Sequence, residues 1–334
     1  MIFMALNLIT LLFLTIAPVI KMHHGTRFLG ISIILLLTVS CSEDEIKLSN
    51  TFEGDVFIYS QQSLEDFADL GYTQIAGRLL LGSQSYNDKD SDLIDLSLLR
   101  NLNSVESLTI RNCKRLKSTS GLEKLDVTDY VAIEYCDSLE RVEMSVSKLE
   151  GMWISENPNL TDLSGFPELG EVEKIYVSNI KSIQGLPPLN VLDEAIFYNF
   201  TSQNLSEIGE LTVSGHLSLG EIEGLEDFSG LNKNNTSLEH LSLVNIRTIP
   251  NLSGLEHIRY IGFLDLYGMS NLISLDGLDN LESVERLSIQ TNTSLVDYCS
   301  ILPAINSLQA EDMYFFNNGY SLTIDKISKG LCSK

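Results

Sequence analysis

One short pattern, apolar–x–apolar, recurs along most of the chain at a nearly fixed interval, and that periodicity constrains the fold more than any other feature. The copies are Leu108-Thr109-Ile110, Val131-Ala132-Ile133, Met152-Trp153-Ile154, Ile175-Tyr176-Val177, Ala195-Ile196-Phe197, Leu211-Thr212-Val213, Leu241-Ser242-Leu243, Leu264-Asp265-Leu266 and Leu287-Ser288-Ile289. Successive steps are 23, 21, 23, 20, 16, 30, 23 and 23 residues. The irregular pair together spans two ordinary steps. This predicts that one coil has lost residues and its neighbour has gained them, with an insertion around Gly230-Leu231-Asn232-Lys233-Asn234-Asn235. Self-similarity at such a period is the mark of a stacked repeat.

After each core comes a second shape, clearest in Asn157-Pro158-Asn159-Leu160-Thr161-Asp162-Leu163-Ser164-Gly165-Phe166 and Met269-Ser270-Asn271-Leu272-Ile273-Ser274-Leu275-Asp276-Gly277-Leu278. Asn and Gly supply turn geometry there, and the leucines point inward after each corner. A strand that buries one face cannot do so alone. Stacking coils at ~4.8 Å places strand on strand and closes the core. The expected fold is therefore mainly β: one right-handed parallel β-helix, a leucine-rich-repeat-like solenoid. Helical spacing is confined to the ends. Gln61 to Leu70, apolar at Leu64, Phe67 and Leu70, reads as a short helix capping the first coil, and Leu322 to Leu331 as a second helix at the far end.

Charge narrows the partners. The chain has 22 basic and 45 acidic residues, and residues 1–41 hold only Lys21 and Arg27 and no acid. The remainder is therefore more acidic than the formal net charge of −23 for the whole chain. Such a surface repels phosphate backbones, so nucleic acid is not an expected partner. It also argues against electrostatic attachment to an anionic bilayer.

The first 40 residues read as an address label. Met22-His23-His24-Gly25-Thr26-Arg27 followed by Phe28 to Leu37 has the basic head and apolar middle of a signal peptide, with Met22 as the expected true start. Thr38-Val39-Ser40-Cys41 resembles a bacterial lipobox, with Thr38 where an aliphatic is usual. The acidic run Ser42-Glu43-Asp44-Glu45 is similar to the export tag of Bacteroidetes surface lipoproteins. The resemblance implies cleavage before Cys41, a diacylglyceryl group on its sulfur, and a membrane partner reached through that lipid at the outer membrane. The domains expected are a signal peptide at 1–40, a lipidated tether at 41–51 and the solenoid at 52–334.

Over roughly residues 52–334 the chain resembles the receptor L domain family, a leucine-rich-repeat-like β-helix. The shared features are the helix-to-strand entry Phe67-Ala68-Asp69-Leu70-Gly71-Tyr72-Thr73-Gln74-Ile75-Ala76-Gly77-Arg78-Leu79 and the recurring Leu-x-x-Leu-x-Gly-Leu, as at Leu272 to Leu278. Phe166-Pro167 and Leu186-Pro187-Pro188 depart from the plain leucine corners. The resemblance implies a module that binds a protein or a glycan, or none. It also implies a C-terminal pattern of Leu295-Val296-Asp297-Tyr298-Cys299, a last strand, and a late cysteine. Here that cysteine is Cys332, and a Cys299–Cys332 disulfide would clamp the end. Cys113 and Cys136 each lie three residues after a strand core, in the register of Asn157, Ile180, Met269 and Asn292, which is expected to face inward. Adjacent coils leave them free to bridge or to remain a buried reduced pair.

The middle residue of each core faces away from the core. That outward row reads Thr109, Ala132, Trp153, Tyr176, Ile196, Thr212, Ser242, Asp265 and Ser288. Trp153 and Tyr176, with Tyr130 and Tyr198 two positions to either side, are candidates for an aromatic platform that would stack on sugars or anchor a protein. A ladder that only stiffens the sheet is the competing reading. No catalytic constellation is read, since His216, His240 and His257 lack metal-ligand spacing and acid pairs are too common to mean anything here. Pectin-cleaving enzymes share the parallel β-helix, yet their clustered acidic and basic groups are missing from this row. Asn87-Asp88-Lys89-Asp90-Ser91-Asp92 offers closely spaced oxygens but lacks the glycine and distal glutamate of an EF-hand, and reads as a solvated acidic loop. Neither a metal nor a cofactor is expected.

Overall fold

Alternating apolar residues fold as strands because every second side chain points to the same face. In the computed structural model, which describes residues 50–208, 210–306 and 308–334, these strands stack in parallel as a β-solenoid of about 11 turns. The principal sheet has 13 strands and follows chain order from Val56–Ile58 at one edge to Met313–Phe316 at the other, with Thr212–Val213 off this path. A 4-stranded parallel sheet of Thr51–Glu53, Gln74–Ala76, Ser104–Val105 and Asp126–Val127 accompanies the first coils. The expected signal peptide, the expected lipidation site Cys41 and nearly all of the expected tether lie outside the described residues. Thr51, expected in the tether, already belongs to a strand.

Between strands the inward period changes from two to three. After Leu264 and Leu266 the buried side chains are Met269, Leu272, Leu275, Leu278, Leu281 and Val284. Three of these five steps close a β-turn, while at another Leu275 N bonds Asp297 O of the next coil at 3.1 Å. Leu272 N donates to Met269 O at 3.1 Å, Leu278 N to Leu275 O at 3.2 Å and Leu281 N to Leu278 O at 3.0 Å. The intervening groups bond between coils, as Val296 N does to Ile273 O at 2.9 Å. Backbone polarity is thus satisfied in an arc that is neither helix nor strand.

Gly277 shows how tight the stacking is. Its φ is +107°, and an added Cβ would lie 2.0 Å from the Leu252 carbonyl oxygen of the coil before. Another corner needs no glycine. At the end of most strands one residue takes φ between 51° and 60°: Asn112, Tyr135, Glu156, Asn179, Asn199, Glu221, Asn245, Thr291 and Asn317. Five of these nine are Asn, the residue that tolerates this region best after glycine. The turn drives the next side chain inward, and Cys113, Cys136, Asn157, Ile180 and Asn292 are all buried, as is Met269 after Gly268. The buried amides are fully used. Asn157 accepts from Cys136 N (3.1 Å) and donates to Ile133 O (2.8 Å) and Ser155 O (2.9 Å). Asn292 accepts from Met269 N (2.9 Å) and donates to Leu266 O (3.0 Å).

Three expectations need correcting. The strand in register with Ala195-Ile196-Phe197 is Leu217-Ser218-Leu219, while Thr212–Val213 pairs with Asn190 and Val191 at the start of the preceding strand. The two steps are then 22 and 24 residues, from Ala195 to Leu217 and from Leu217 to Leu241. Neither of these two coils is anomalous, and Gly230 is a corner packed on Ser206 rather than part of an insertion. Both triplets alternate correctly, so pattern alone does not separate them. The expected helix forms at Gln61–Ala68 with a Ser60/Ser63 capping box. It buries Leu64 and Phe67 but ends before Leu70, which is exposed. It packs against Val56–Ile58 and the turn Ser97–Leu99 as one arc of the first coil, so the expected role as a cap is not confirmed. The far helix is shorter than expected, Ile324–Ser328, and leaves Leu331 exposed.

The last coil is held by a Cys299–Cys332 disulfide across 33 residues. Loop-closure entropy makes such a bridge worth about 3–4 kcal/mol. Replacing Gly277 with alanine is expected to destabilise the protein by roughly 2–4 kcal/mol, from the left-handed φ together with the clash on the preceding coil. Chemical denaturation monitored by circular dichroism will show it; an unchanged midpoint would mean the coils yield more easily than this packing implies.

Candidate functional site

On the outward face of the long sheet the side chains form three parallel rows, because parallel strands in register place like positions side by side. The central row reads Thr109, Ala132, Trp153, Tyr176, Ile196, Ser218, Ser242, Asp265, Ser288 and Tyr314. Ser218 takes the place expected for Thr212, as the corrected register requires. One flanking row holds Tyr130, Gly151, Lys174, Glu194, His216, His240, Phe263 and Arg286. The other holds Ser155, Ser178, Tyr198 and Gly220.

The four expected platform residues all lie on this face, but they do not make one surface of touching rings. Trp153 is 36 % exposed, and its indole lies over Gly151, where an added Cβ would sit 2.1 Å from the ring. Tyr130 meets it edge-on, with centroids 5.9 Å apart and planes at 87°, an arrangement the ring quadrupoles favour. Tyr176 is aligned with Trp153 on the next coil and half-buried. Tyr198 leans the other way, its ring over Gly220 and its hydroxyl 3.0 Å from Ser218 Oγ. Among the described residues no ring contact joins Tyr176 or Tyr198 to the Tyr130–Trp153 pair. Two glycines thus let two rings lie down on the sheet, in different places.

The structure also assembles a group that sequence reasoning missed. His216 and His240 stack with centroids 4.1 Å apart and planes at 9°. His240 stacks in turn on Phe263 at 4.7 Å, and the Arg286 guanidinium lies 5.0 Å above the Phe263 ring. Glu194 closes the other end, its Oε1 3.1 Å from His216 Nδ1. The displaced strand assignment hid this stack, because it left His216 outside the sheet. With the triplet at 217–219 in register, His216 and His240 fall on the same row. Nε2 of both rings is buried without a hydrogen-bond partner. Parallel stacked rings point these nitrogens side by side rather than toward a common centre, so they do not converge on a metal as placed. No hydrogen bond links His240 to Ser218, Ser242 or Asp265 among the described residues, so the stack is not wired as a nucleophile and its base.

The remaining candidates are dispersed. Cys113 and Cys136 are buried thiols on adjacent coils; the neighbouring Cys136 first, then burial, pushes the Cys113 thiol far above its usual range. In the acidic loop, Asp88 accepts from Ser85 N, Asp90 pairs with Lys114 and Asp92 accepts from Gln61 N. The three carboxylates serve three different partners. Among the described residues no cluster of three or more His, Cys, Asp or Glu is placed to hold a metal.

Burial, and then the neighbouring His216, lower the pKa of His240 from 6.5 to about 4, with Arg286 acting in the same sense and Asp265 and Glu194 opposing. A histidine held neutral in the folded state while the unfolded chain takes up a proton contributes fully above pH 6.5, and its contribution falls as the pH drops toward 4. The melting temperature should decline across that window, and His240→Phe, which keeps a ring in the stack, should flatten the decline. A variant with the parent's pH profile would show that the stack does not govern acid sensitivity.

No protein-family model, curated protein or solved structure matches the chain.

Proposed function

We propose that this chain is an exported lipoprotein, anchored through Cys41 in the outer membrane and facing outward, whose solenoid recognises a protein or glycan without catalysing a reaction. The observation that carries the reading is the Tyr130–Trp153 pair: the sole tryptophan of the chain, kept in solvent and laid flat over a glycine on an open sheet. A structural ladder needs no such exposed indole, whereas a binding face gains most from rigid aromatic anchors. Tyr176 and Tyr198 extend the same face. The lipobox-like Thr38-Val39-Ser40-Cys41 and the acidic run after it support the anchor. The parallel coils with inward leucines support kinship with the receptor L domain. An accessory lipoprotein without its own ligand is the alternative.

Two experiments test this. Palmitate labelling in a bacterial host should mark the parent and not Cys41→Ala; a labelled variant, or an unlabelled parent, removes the anchor. Glycan arrays and pull-downs with the full chain should find a ligand that Trp153→Ala and Tyr176→Ala bind at least about tenfold more weakly. Equal binding by parent and double variant would remove this part of the face as the site.

A further inference from the structure

A second set of exposed rings lies at the far end of the same face, away from Trp153. Tyr267, Tyr314 and Phe316 are 43 %, 53 % and 58 % exposed. Phe316 aligns with Gln290, and Gln290 with Tyr267; Tyr314 aligns with Ser288, and Ser288 with Asp265. Tyr314 and Phe316 are stacked, with centroids 6.5 Å apart and planes at 19°. Tyr267 and Phe316 thus flank Gln290 in one row, Asp265 and Tyr314 stand in the central row, and Arg286 stands in the row beyond, so that rings and polar groups share one patch.

Those polar groups are held but not consumed. Among the described residues neither the Asp265 carboxylate nor the Arg286 guanidinium has a hydrogen-bond or ion-pair partner, although they stand on adjacent coils. The guanidinium rests over Phe263, which is itself backed by His240. The stack therefore supports the Arg286 guanidinium, whose N–H groups make no hydrogen bond among the described residues. Gln290 Nε2 donates to Ser288 Oγ at 2.8 Å, which orients the amide and leaves its oxygen available.

We propose that this patch is a binding site for a neutral oligosaccharide. Exposed flat rings fit the apolar faces of sugar rings. A carboxylate, a guanidinium and an amide oxygen supply both acceptors and donors for hydroxyl groups. Charge selects a neutral ligand: Asp265 and Arg286 balance within the patch, and a chain of net charge −23 repels polyanions. The flat sheet suits an extended glycan lying on it rather than a small molecule enclosed by it. The proposal rests on the reading of the open face as a recognition surface, but on residues that the Trp153 experiment leaves untouched.

Affinity electrophoresis and titration calorimetry of the full chain against a neutral β-glucan, a xylan and a mannan, beside anionic polygalacturonate, test it. At least one neutral polymer should bind. Tyr314→Ala with Phe316→Ala should weaken that binding about tenfold or more. Arg286→Gln should weaken it too, whereas Trp153→Ala should not, and Tyr314→Phe with Phe316→Tyr should retain it. Thermal melts of every variant separate lost binding from lost folding. Should the double alanine variant unfold, the exposed Arg286→Gln decides. The proposal is overturned if no neutral polymer binds, if polygalacturonate is preferred, if only polypeptides are captured, or if the alanine variant binds like the parent. Glycan binding lost in Trp153→Ala alone would overturn this site while sparing the function proposed above.

Discussion

The structure depends on a bond three residues long. Many steps from one buried side chain to the next close a turn whose N–H and C=O belong to the two inward residues themselves, as at Met269–Leu272 and Leu275–Leu278, and where one does not, as at Leu275, the N–H bonds the next coil. That bond does two jobs. It satisfies backbone that would otherwise be buried unpaired, and it fixes the spacing at which leucines enter the core. Each fully buried leucine contributes roughly 1.5–3 kcal/mol, but only if the neighbouring coil presents its own at the same level. Stability is therefore shared between adjacent coils and scarcely beyond them.

What the outer face presents follows from that arrangement. The core consumes alternate positions of every strand and leaves the others to chemistry. Glycine acts here by what it permits nearby: Gly151 and Gly220 leave space into which Trp153 and Tyr198 fold. The rows also create relationships that no single strand contains. Glu194, His216, His240, Phe263 and Arg286 come from five successive coils, yet they form one continuous stack.

Most of the fold was legible in the sequence because burial and period report directly on each other. The strand cores at Leu108, Val131, Met152, Ile175, Ala195, Leu241, Leu264 and Leu287 were identified by alternation, and the structure places all of them in the long sheet. Alternation failed where it was satisfied twice, at Leu211-Thr212-Val213 and Leu217-Ser218-Leu219. Only pairing with Ala195-Ile196-Phe197 distinguishes them, and pairing is a property of two coils. The same slip concealed the histidine stack. Tyr314 and Phe316 went unread for a different reason: Met313–Phe316 is apolar on both faces and shows no alternation. Ring orientation was not legible at all, since the lean of Tyr198 toward Gly220 depends on a gap in the adjacent coil.

Asn157 and Asn292 carry a consequence for what could stand in their places. Each amide reaches back to main-chain groups of the preceding coil, Asn157 to Cys136 N and Ile133 O and Asn292 to Met269 N and Leu266 O. An apolar side chain of similar size would fill the same space but withdraw those bonds from a buried backbone, and a stranded buried polar group costs about 1–3 kcal/mol. These two side chains therefore rivet neighbouring coils through the interior, where the leucines around them only fill volume.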